Sequence, residues 1–242
     1  MTLRNGAIFA WVLVGCSAFA QMPDRFTNLQ VFPKDIPKKE LTNIMRRFSF
    51  SLGVRCEFCH VQTADKKMNF PADDKKEKQT ARLMLKMVSE INQNYINKIG
   101  KPAPVEVRCV TCHRGLSQPR QINDVLAETI EKKGIDAAVA QYKELKAQYY
   151  GGAQYSFGET PLNVLTESLL DKDKGKEAAA IMELNVETNS SPSGWTMNLL
   201  AMAHQAAGET DKAIADFQKI VQTNPQNEWA KQQLETLTKK KQ

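Results

Sequence analysis

Apolar residues recur at helical spacing shortly before the first pair of cysteines. The stripe consists of Leu41, Met45, Phe48 and Leu52. This i, i+4, i+7, i+11 spacing predicts one face of an amphipathic helix. We expect Asp35 to cap the helix, Pro37 to lie in its first turn, and Gly53 to end it. The chain can turn at Gly53 and bring the stripe back toward the cysteines that follow.

A second apolar stripe precedes the second pair of cysteines. A helix is predicted to follow Asp73-Asp74 and to run to about Asn97, where glycine and proline residues break the pattern. Its apolar positions are Met84, Met87, Val88, Ile91 and Tyr95. The first half of the chain therefore contains two successive units of helix, turn and cysteine pair.

The pattern is helical throughout beyond Gln118-Pro119-Arg120, and residues 123–150 are predicted to form one helical pair. A segment that resembles a tetratricopeptide repeat contains Met197, Leu200, Ala201, Gly208, Ala213, Phe217 and Pro225. A weaker copy, 35 residues upstream, contains Leu162, Leu165, Leu169, Ala178 and Met182. Stacked repeats often offer a groove to a protein partner, and bracing of the first half of the chain is the alternative role. The predicted fold class is all-α.

Composition agrees with a mostly helical globular chain. Of 242 residues, 42% are apolar and 25% are charged, and the 12 glycines and 10 prolines are too few for a typical all-β protein. The formal net charge is +6. Acidic residues are interleaved with the basic ones, and no basic run alternates with aromatic residues. We therefore predict a solvated charged surface and no nucleic-acid partner.

The N-terminus has the features of an export signal. Residues 1–20 contain one cation, Arg4, then an apolar core over residues 7–14 and the small-x-small sequence Ala18-Phe19-Ala20. The core is shorter than the roughly 20 residues that span a bilayer. The segment Leu13-Val14-Gly15-Cys16 also resembles a lipobox, in which the cysteine is lipidated. The prediction is a periplasmic protein, with a lipid anchor on Cys16 as the alternative to cleavage after Ala20.

The other four cysteines form two copies of one motif, Cys56-Glu-Phe-Cys59-His60 and Cys109-Val-Thr-Cys112-His113. Cys-x-x-Cys-His is the attachment site of a c-type haem, in which each thiol adds to a vinyl group and the histidine binds the iron. Two haem c groups are therefore predicted, bound covalently by Cys56, Cys59, Cys109 and Cys112, with His60 and His113 as proximal ligands. Zinc sites, disulfides or a thioredoxin-like pair are the alternatives.

The histidine count limits the sixth ligand of each iron. Only His204 remains beyond the two motifs, and we expect it to be a packed or exposed residue of a repeat helix rather than a haem ligand. At most one haem can therefore be bis-histidine, and methionine is the usual alternative. A methionine-bearing helix precedes each motif, which favours ligation over ordinary core packing of these methionines.

Three segments carry a family resemblance: residues 45–60, the sequence Arg82-Leu-Met84-Leu-Lys-Met87, and residues 109–115. With them, residues from about Phe26 to Gly115 resemble the cytochrome c subunit of photosynthetic reaction centres. This resemblance implies that Met45 is the distal ligand of the first haem and Met84 that of the second, with Met87 as the fallback. The family's namesake has four haems, so the chain looks like half of that array, and a link to photosynthesis or to respiration stays open.

The sequence thus predicts a signal peptide over residues 1–20, a di-haem cytochrome c domain over 21–118 and a tetratricopeptide-like domain over 119–242. The leading hypothesis is an exported carrier that passes electrons between redox proteins, for which a membrane-bound electron-transfer complex is one candidate partner. A haem peroxidase or small-molecule reductase with one five-coordinate haem is the second hypothesis. The third is a helical-repeat adaptor with zinc or disulfides at its cysteine pairs. Candidate partners of the haem propionates are Arg46, Arg47 and Arg114.

Overall fold

The computed structural model of the chain describes residues 23, 25–100 and 105–241. The predicted signal peptide and Cys16 lie outside this part. The chain divides into two compact units, Met1–Cys109 and Val110–Gln242. Helices dominate both units, which confirms the all-α fold class.

The N-terminal unit contains two long helices, two 3₁₀ turns and one small hairpin. In chain order these are α1 (Lys38–Leu52), a 3₁₀ turn (Cys56–Phe58), β1 (Val61–Gln62), β2 (Met68–Asn69), α2 (Lys76–Asn94) and a second 3₁₀ turn (Ile96–Lys98). The short helix α3 (Cys109–His113) contains the boundary between the two units.

The two ends of α1 differ in how well the sequence predicts them. Gly53 ends the helix with φ of 66°, and the backbone N–H groups of Gly53 and Val54 both donate to the Ser49 carbonyl, as in a Schellman motif. The prediction that Asp35 caps α1 is wrong. It lies in a turn that the Ile36 N–H closes on the Pro33 carbonyl at 3.2 Å, and the helix begins one residue after Pro37, whose carbonyl accepts from Leu41.

Helix α2 is shorter than predicted at both ends. It begins at Lys76 rather than directly after Asp73-Asp74, because the Asp73 carboxylate is bound by two basic side chains of α2 and caps no backbone N–H group. It ends at Asn94, where the chain tightens into the second 3₁₀ turn. Tyr95 is 64% exposed, so the half-buried part of the predicted stripe ends at Ile91.

The hairpin is a feature that the sequence analysis missed. Strands β1 and β2 pair antiparallel, with Val61 opposite Asn69 and Gln62 opposite Met68. Continuing this register by one residue places Phe70 opposite His60. The two rings meet edge to face, with centroids 5.0 Å apart. The hairpin therefore brings a distant backbone segment against the histidine of the first motif.

The C-terminal unit is a series of helices, most of which pack on their neighbours in the chain. They are α4 (Ile122–Lys133), α5 (Ile135–Tyr149), α6 (Glu159–Leu170), α7 (Gly175–Thr188), α8 (Gly194–Ala206), α9 (Thr210–Thr223) and α10 (Glu228–Lys241). The predicted pair over residues 123–150 is observed as α4 and α5. The two repeat-like segments are observed as the pairs α6–α7 and α8–α9, so the region is helical as predicted.

The C-terminal unit has two hydrophobic cores. Helices α4 to α8 share the larger core, which includes fully buried Leu126, Tyr142, Leu162 and Met182. The smaller core joins α8, α9 and α10 around Phe217. A Cβ atom at Gly175 would lie 2.3 Å from the Ala206 carbonyl oxygen, so only glycine permits the close approach of α7 to the end of α8.

Candidate functional site

The first cysteine pair lies on a single tight turn. The backbone N–H groups of Cys59 and His60 both donate to the Cys56 carbonyl, at 3.3 and 3.0 Å. This turn places residues i and i+3 on one side of the backbone, so both sulfurs can reach one edge of a flat ligand. Both cysteines are free thiols; Cys56 is exposed and Cys59 is half-buried.

The second pair has the same local form. Cys109 and Cys112 lie on α3 with the i, i+3 spacing, and His113 is the last residue of that helix. Neither cysteine forms a disulfide, and Cys112 is exposed. In the described part of the chain, neither pair belongs to a cluster of three or more metal-binding side chains. This geometry suits two-point attachment of a ligand better than the four thiolates or imidazoles of a structural zinc site.

Both motif histidines use the same ring nitrogen for a backbone contact. His60 Nδ1 lies 3.2 Å from the Phe70 carbonyl oxygen, and His113 Nδ1 lies 2.9 Å from the Leu116 carbonyl oxygen. A carbonyl oxygen can only accept, so Nδ1 is the protonated nitrogen in each ring. With Nδ1 as the donor, Nε2 is the nitrogen of each ring that is available to a metal. This is the orientation that protein carbonyls impose on metal-bound histidines.

The electrostatic environment favours the uncharged forms of His60 and Cys59. Burial lowers the pKa of His60, and the nearby Lys78 ammonium lowers it further. Burial also raises the pKa of the Cys59 thiol, with the Glu77 carboxylate acting in the same direction. At neutral pH the histidine therefore retains its lone pair. Cys59 remains a thiol, the species that adds as S–H across a vinyl group.

Met45 lies on the half-buried face of α1. It follows Leu41 by one helical turn, and Leu41 is the most buried apolar residue of the described N-terminal unit, at 3% exposure. On the same face, Phe48 stacks on Phe32 with ring centroids 6.5 Å apart. This face therefore carries an aromatic and apolar surface in which a thioether is compatible with either core packing or metal ligation.

The two methionines of α2 differ in exposure and direction. Met84 is half-buried, whereas Met87 is 41% exposed. Asn92, on the same helix, binds the backbone of Val107, which lies two residues before Cys109. The Asn92 side chain donates to the Val107 carbonyl at 2.8 Å and accepts from the Val107 N–H at 2.9 Å. At 100° per residue, Met84 lies about 80° around the helix axis from Asn92, and Met87 about 140°. Met84 therefore lies closer than Met87 to the face of α2 that binds the segment leading to the second motif.

Large apolar side chains are left at the surface of the N-terminal unit. Its buried hydrophobic residues, among those described, are Ile36 and Leu41. The exposed ones are Phe50, Phe58, Leu83, Met87, Tyr95, Ile99 and Val105. A unit of this size normally buries its own apolar core. The distribution fits a fold that is completed by large flat apolar groups, and haem is such a group.

An ion cluster beside the first motif was missed by the sequence analysis. Asp73 accepts from both terminal nitrogens of Arg82, at 2.9 and 2.8 Å, and from Lys78 Nζ at 2.9 Å. These contacts hold the pKa of the Asp73 carboxyl far below its usual range. Both cations are largely buried, with side-chain exposures of 11% for Lys78 and 12% for Arg82. The signal in the sequence was the spacing of one acid and two bases within ten residues.

His204 lies in the C-terminal unit and is 4% exposed. Its Nδ1 lies 2.6 Å from the Asp216 carboxylate, and its Nε2 lies 3.4 Å from Glu183 and 3.8 Å from Glu209. Both ring nitrogens therefore face carboxylates of neighbouring helices. His204 is thus a buried residue of the C-terminal unit.

The remaining candidate residues occupy exposed positions. Arg46 and Arg47 are exposed on α1, and Arg114 is exposed with φ of 49° directly after His113. Met68 is half-buried in β2 of the hairpin. No helix of the described residues is long and apolar enough to cross a membrane.

A helical chain with two Cys-x-x-Cys-His turns and fixed histidine rings is typical of c-type cytochromes. The family model of the photosynthetic reaction centre cytochrome C subunit matches residues 23–189. This is more than half of the chain, which therefore belongs to that family. The match extends beyond the region of resemblance at residues 26–115 and includes α4 to α7.

Individual relatives match shorter stretches. The photosynthetic reaction center cytochrome c subunit of Roseobacter denitrificans is 34% identical over 116 residues, which are 43% of this chain and 30% of that protein. The corresponding subunit of Thermochromatium tepidum is 34% identical over 98 residues, covering 36% and 24%. Cytochrome c-554 of Chloroflexus aurantiacus is 30% identical over 96 residues, covering 40% and 22%. The chain thus spans less than a third of the length of these relatives.

Proposed function

We propose that this protein is a one-electron carrier that holds two haem c groups, one at Cys56 and Cys59 and one at Cys109 and Cys112. The observation that carries the proposal is the common orientation of His60 and His113. In both rings a backbone carbonyl binds Nδ1, which directs the Nε2 lone pair to an iron. Membership of a cytochrome c family supports the same assignment.

The residues of the chain have three separate tasks in this proposal. When bound, each haem supplies an iron that alternates between the ferric and ferrous states by one electron. The four cysteines would hold the two haems through thioether bonds, and His60 and His113 would ligate the irons. Met45 and Met84 would supply the remaining ligands, so that neither site would offer an open position to a small-molecule substrate. This closure favours an electron carrier over a peroxidase or reductase.

The mass and the ligand reactivity of the purified protein test the proposal. Intact mass is expected to exceed that of the processed polypeptide by two haems, and a pyridine haemochrome assay is expected to give the same count. Carbon monoxide is expected to leave the spectrum of the reduced protein unchanged, because both irons are six-coordinate. A mass gain of one haem or none, or zinc in a metal analysis, contradicts the two-haem assignment. Rapid carbon monoxide binding supports the enzyme alternative.

Leucine substitutions decide between the two methionines of α2. Met84→Leu is expected to open the second haem to carbon monoxide and to shift its potential, whereas Met87→Leu is expected to do neither. Leucine conserves volume, so loss of packing alone costs less than about 1.5 kcal/mol. The matched pair therefore separates ligation from packing. The reverse result assigns Met87, and no change in either variant moves the search to Met68.

The location, partners and domain organisation follow as parts of the same proposal. The signal over residues 1–20 supports export to the periplasm, with lipidation of Cys16 as the alternative form of processing. Redox proteins are the proposed partners, among them a membrane-bound complex.

The helical pairs support a separate repeat domain over residues 119–242, next in the chain to a cytochrome domain over 21–118. Exposed Trp195 and Met202, seven residues apart on α8, support a protein-binding surface in that repeat domain.

A further inference from the structure

Lys78 is a buried cation whose contacts lead directly to the first motif. Its Nζ atom lies 2.8 Å from the Phe70 carbonyl oxygen, 3.1 Å from that of Pro71 and 2.7 Å from that of Ala72. The Phe70 oxygen is also the acceptor for His60 Nδ1. One carbonyl oxygen therefore receives both the proximal histidine and a lysine ammonium.

We propose that Lys78 sets the reduction potential of the haem bound by His60, through the Phe70 carbonyl that the two side chains share. The inference rests on the proposed attachment of haem at Cys56 and Cys59. Lys78 binds no ligand itself. It is a positioning residue that acts through the histidine.

The shared hydrogen bond acts on the electron density of the imidazole. A carbonyl that binds His60 Nδ1–H strongly makes the ring a more basic ligand, which stabilises the ferric state. An ammonium on the same oxygen withdraws electron density from it and weakens that effect. Lys78 therefore makes His60 a less electron-donating ligand, which raises the potential.

The charge of Lys78 acts in the same direction. The cluster of Lys78, Arg82 and Asp73 contains two cations and one anion, so one positive charge is left uncompensated beside the proximal histidine. The Asp73 carboxylate lies 2.9 Å from Lys78 Nζ and is itself bound by Arg82. A positive charge in a largely buried position disfavours the ferric iron, which carries one more positive charge than the ferrous iron.

Three variants and one control test the inference in the haem-loaded protein. Lys78→Met removes the ammonium and keeps the unbranched stem, and its first haem is expected to have a lower potential. Lys78→Arg, which keeps the charge, is expected to remain near the parent value. Asp73→Asn removes the anion that compensates Lys78 and is expected to raise the potential. Lys76→Met is the control, because Lys76 is exposed on the same helix and carries the same charge.

The potentials are measured by redox titration, with haem methyl NMR signals assigned to each haem, and equilibrium unfolding is measured in parallel. Opposite shifts in Lys78→Met and Asp73→Asn, confined to the first haem and larger than the shift in Lys76→Met, support the inference. A loss of stability with unchanged potentials shows that Lys78 only holds residues 70–72 in place and overturns it. Equal shifts in Lys78→Met and Lys76→Met overturn it as well.

A haem count on each sample separates this inference from the proposed function. Two covalent haems with unchanged potentials overturn only the role of Lys78. Absence of covalent haem at Cys56 and Cys59 overturns the proposed function and the inference together. If Lys78→Met does not fold, the test rests on Asp73→Asn. A higher potential of the first haem in that variant supports the inference, because an ion cluster with only a structural role does not predict such a rise.

Discussion

A chain in which Cys56, Cys59, Cys109 and Cys112 are all replaced by alanine is expected to lose the folded state of its N-terminal unit and to keep that of its C-terminal unit. In the described part of the N-terminal unit, the polypeptide buries only two large apolar side chains, Ile36 and Leu41. Full burial of such a side chain contributes about 1.5–3 kcal/mol. This is too little to offset the conformational entropy lost by ordering the rest of the unit.

The C-terminal unit differs because it contains its own cores. Its larger core joins five helices and its smaller core joins three, and neither includes a residue of the two motifs. Hydrogen exchange resolved by peptide is expected to show unprotected amides in α1 and α2 of the quadruple variant. The amides of α6 to α9 are expected to keep their protection.

Variants of one motif at a time provide the matched controls. Cys56→Ala with Cys59→Ala is expected to carry one haem, as is Cys109→Ala with Cys112→Ala. The cysteine changes themselves remove little packing, because Cys56 and Cys112 are exposed and the other two cysteines are only half-buried. Full protection of α1 and α2 in the quadruple variant would show that the N-terminal unit folds on the polypeptide alone.

Replacement of Met45 is expected to have the second largest effect. Met45→Ala removes the proposed sulfur ligand of the first haem. The ferric methionine charge-transfer band is therefore expected to weaken, and carbon monoxide is expected to bind one haem per chain. Met45→His is expected to keep that haem six-coordinate and to lower its potential, because imidazole stabilises the ferric state better than a thioether does.

Met202→Ala is the control for Met45→Ala. Met202 is 37% exposed on α8, far from the motifs in the sequence, and its removal is expected to leave the spectrum unchanged. Unchanged potentials and an intact charge-transfer band in Met45→Ala would assign Met45 to the core of α1. Met45→Leu then measures its packing role, with an expected cost below about 1.5 kcal/mol.

Local rules predicted the helices of this chain well because each helix carries its own signal. The stripe of α1 and the αL glycine at its end required only spacing and one permissive residue, Gly53. The pairs α6–α7 and α8–α9 followed from apolar positions that repeat along the chain. The helix starts were less predictable, because Asp35 lies in a turn before α1 and the Asp73 carboxylate belongs to an ion cluster.

The candidate site shows the same division between local and distant information. The cysteines and histidines of both motifs were identified by spacing alone, since their chemistry requires neighbours in sequence. In the structure, the preference for Met84 over Met87 gained support from the lower exposure of Met84 and from Asn92, whose side chain reaches Val107 from 15 residues away. Periodicity alone could not provide this, because both methionines belong to one stripe.

The sequence by itself determined the helical class, and it predicted the two attachment motifs and the candidate iron ligands, because each depends on residues within a few turns of one another. Only the tertiary structure decided which group Nδ1 of His60 faces. The short hairpin brings Phe70 back to His60, and α2 then adds the Lys78 ammonium to the same carbonyl oxygen. Such contacts depend on strand register and helix position, which no local pattern of side chains specifies.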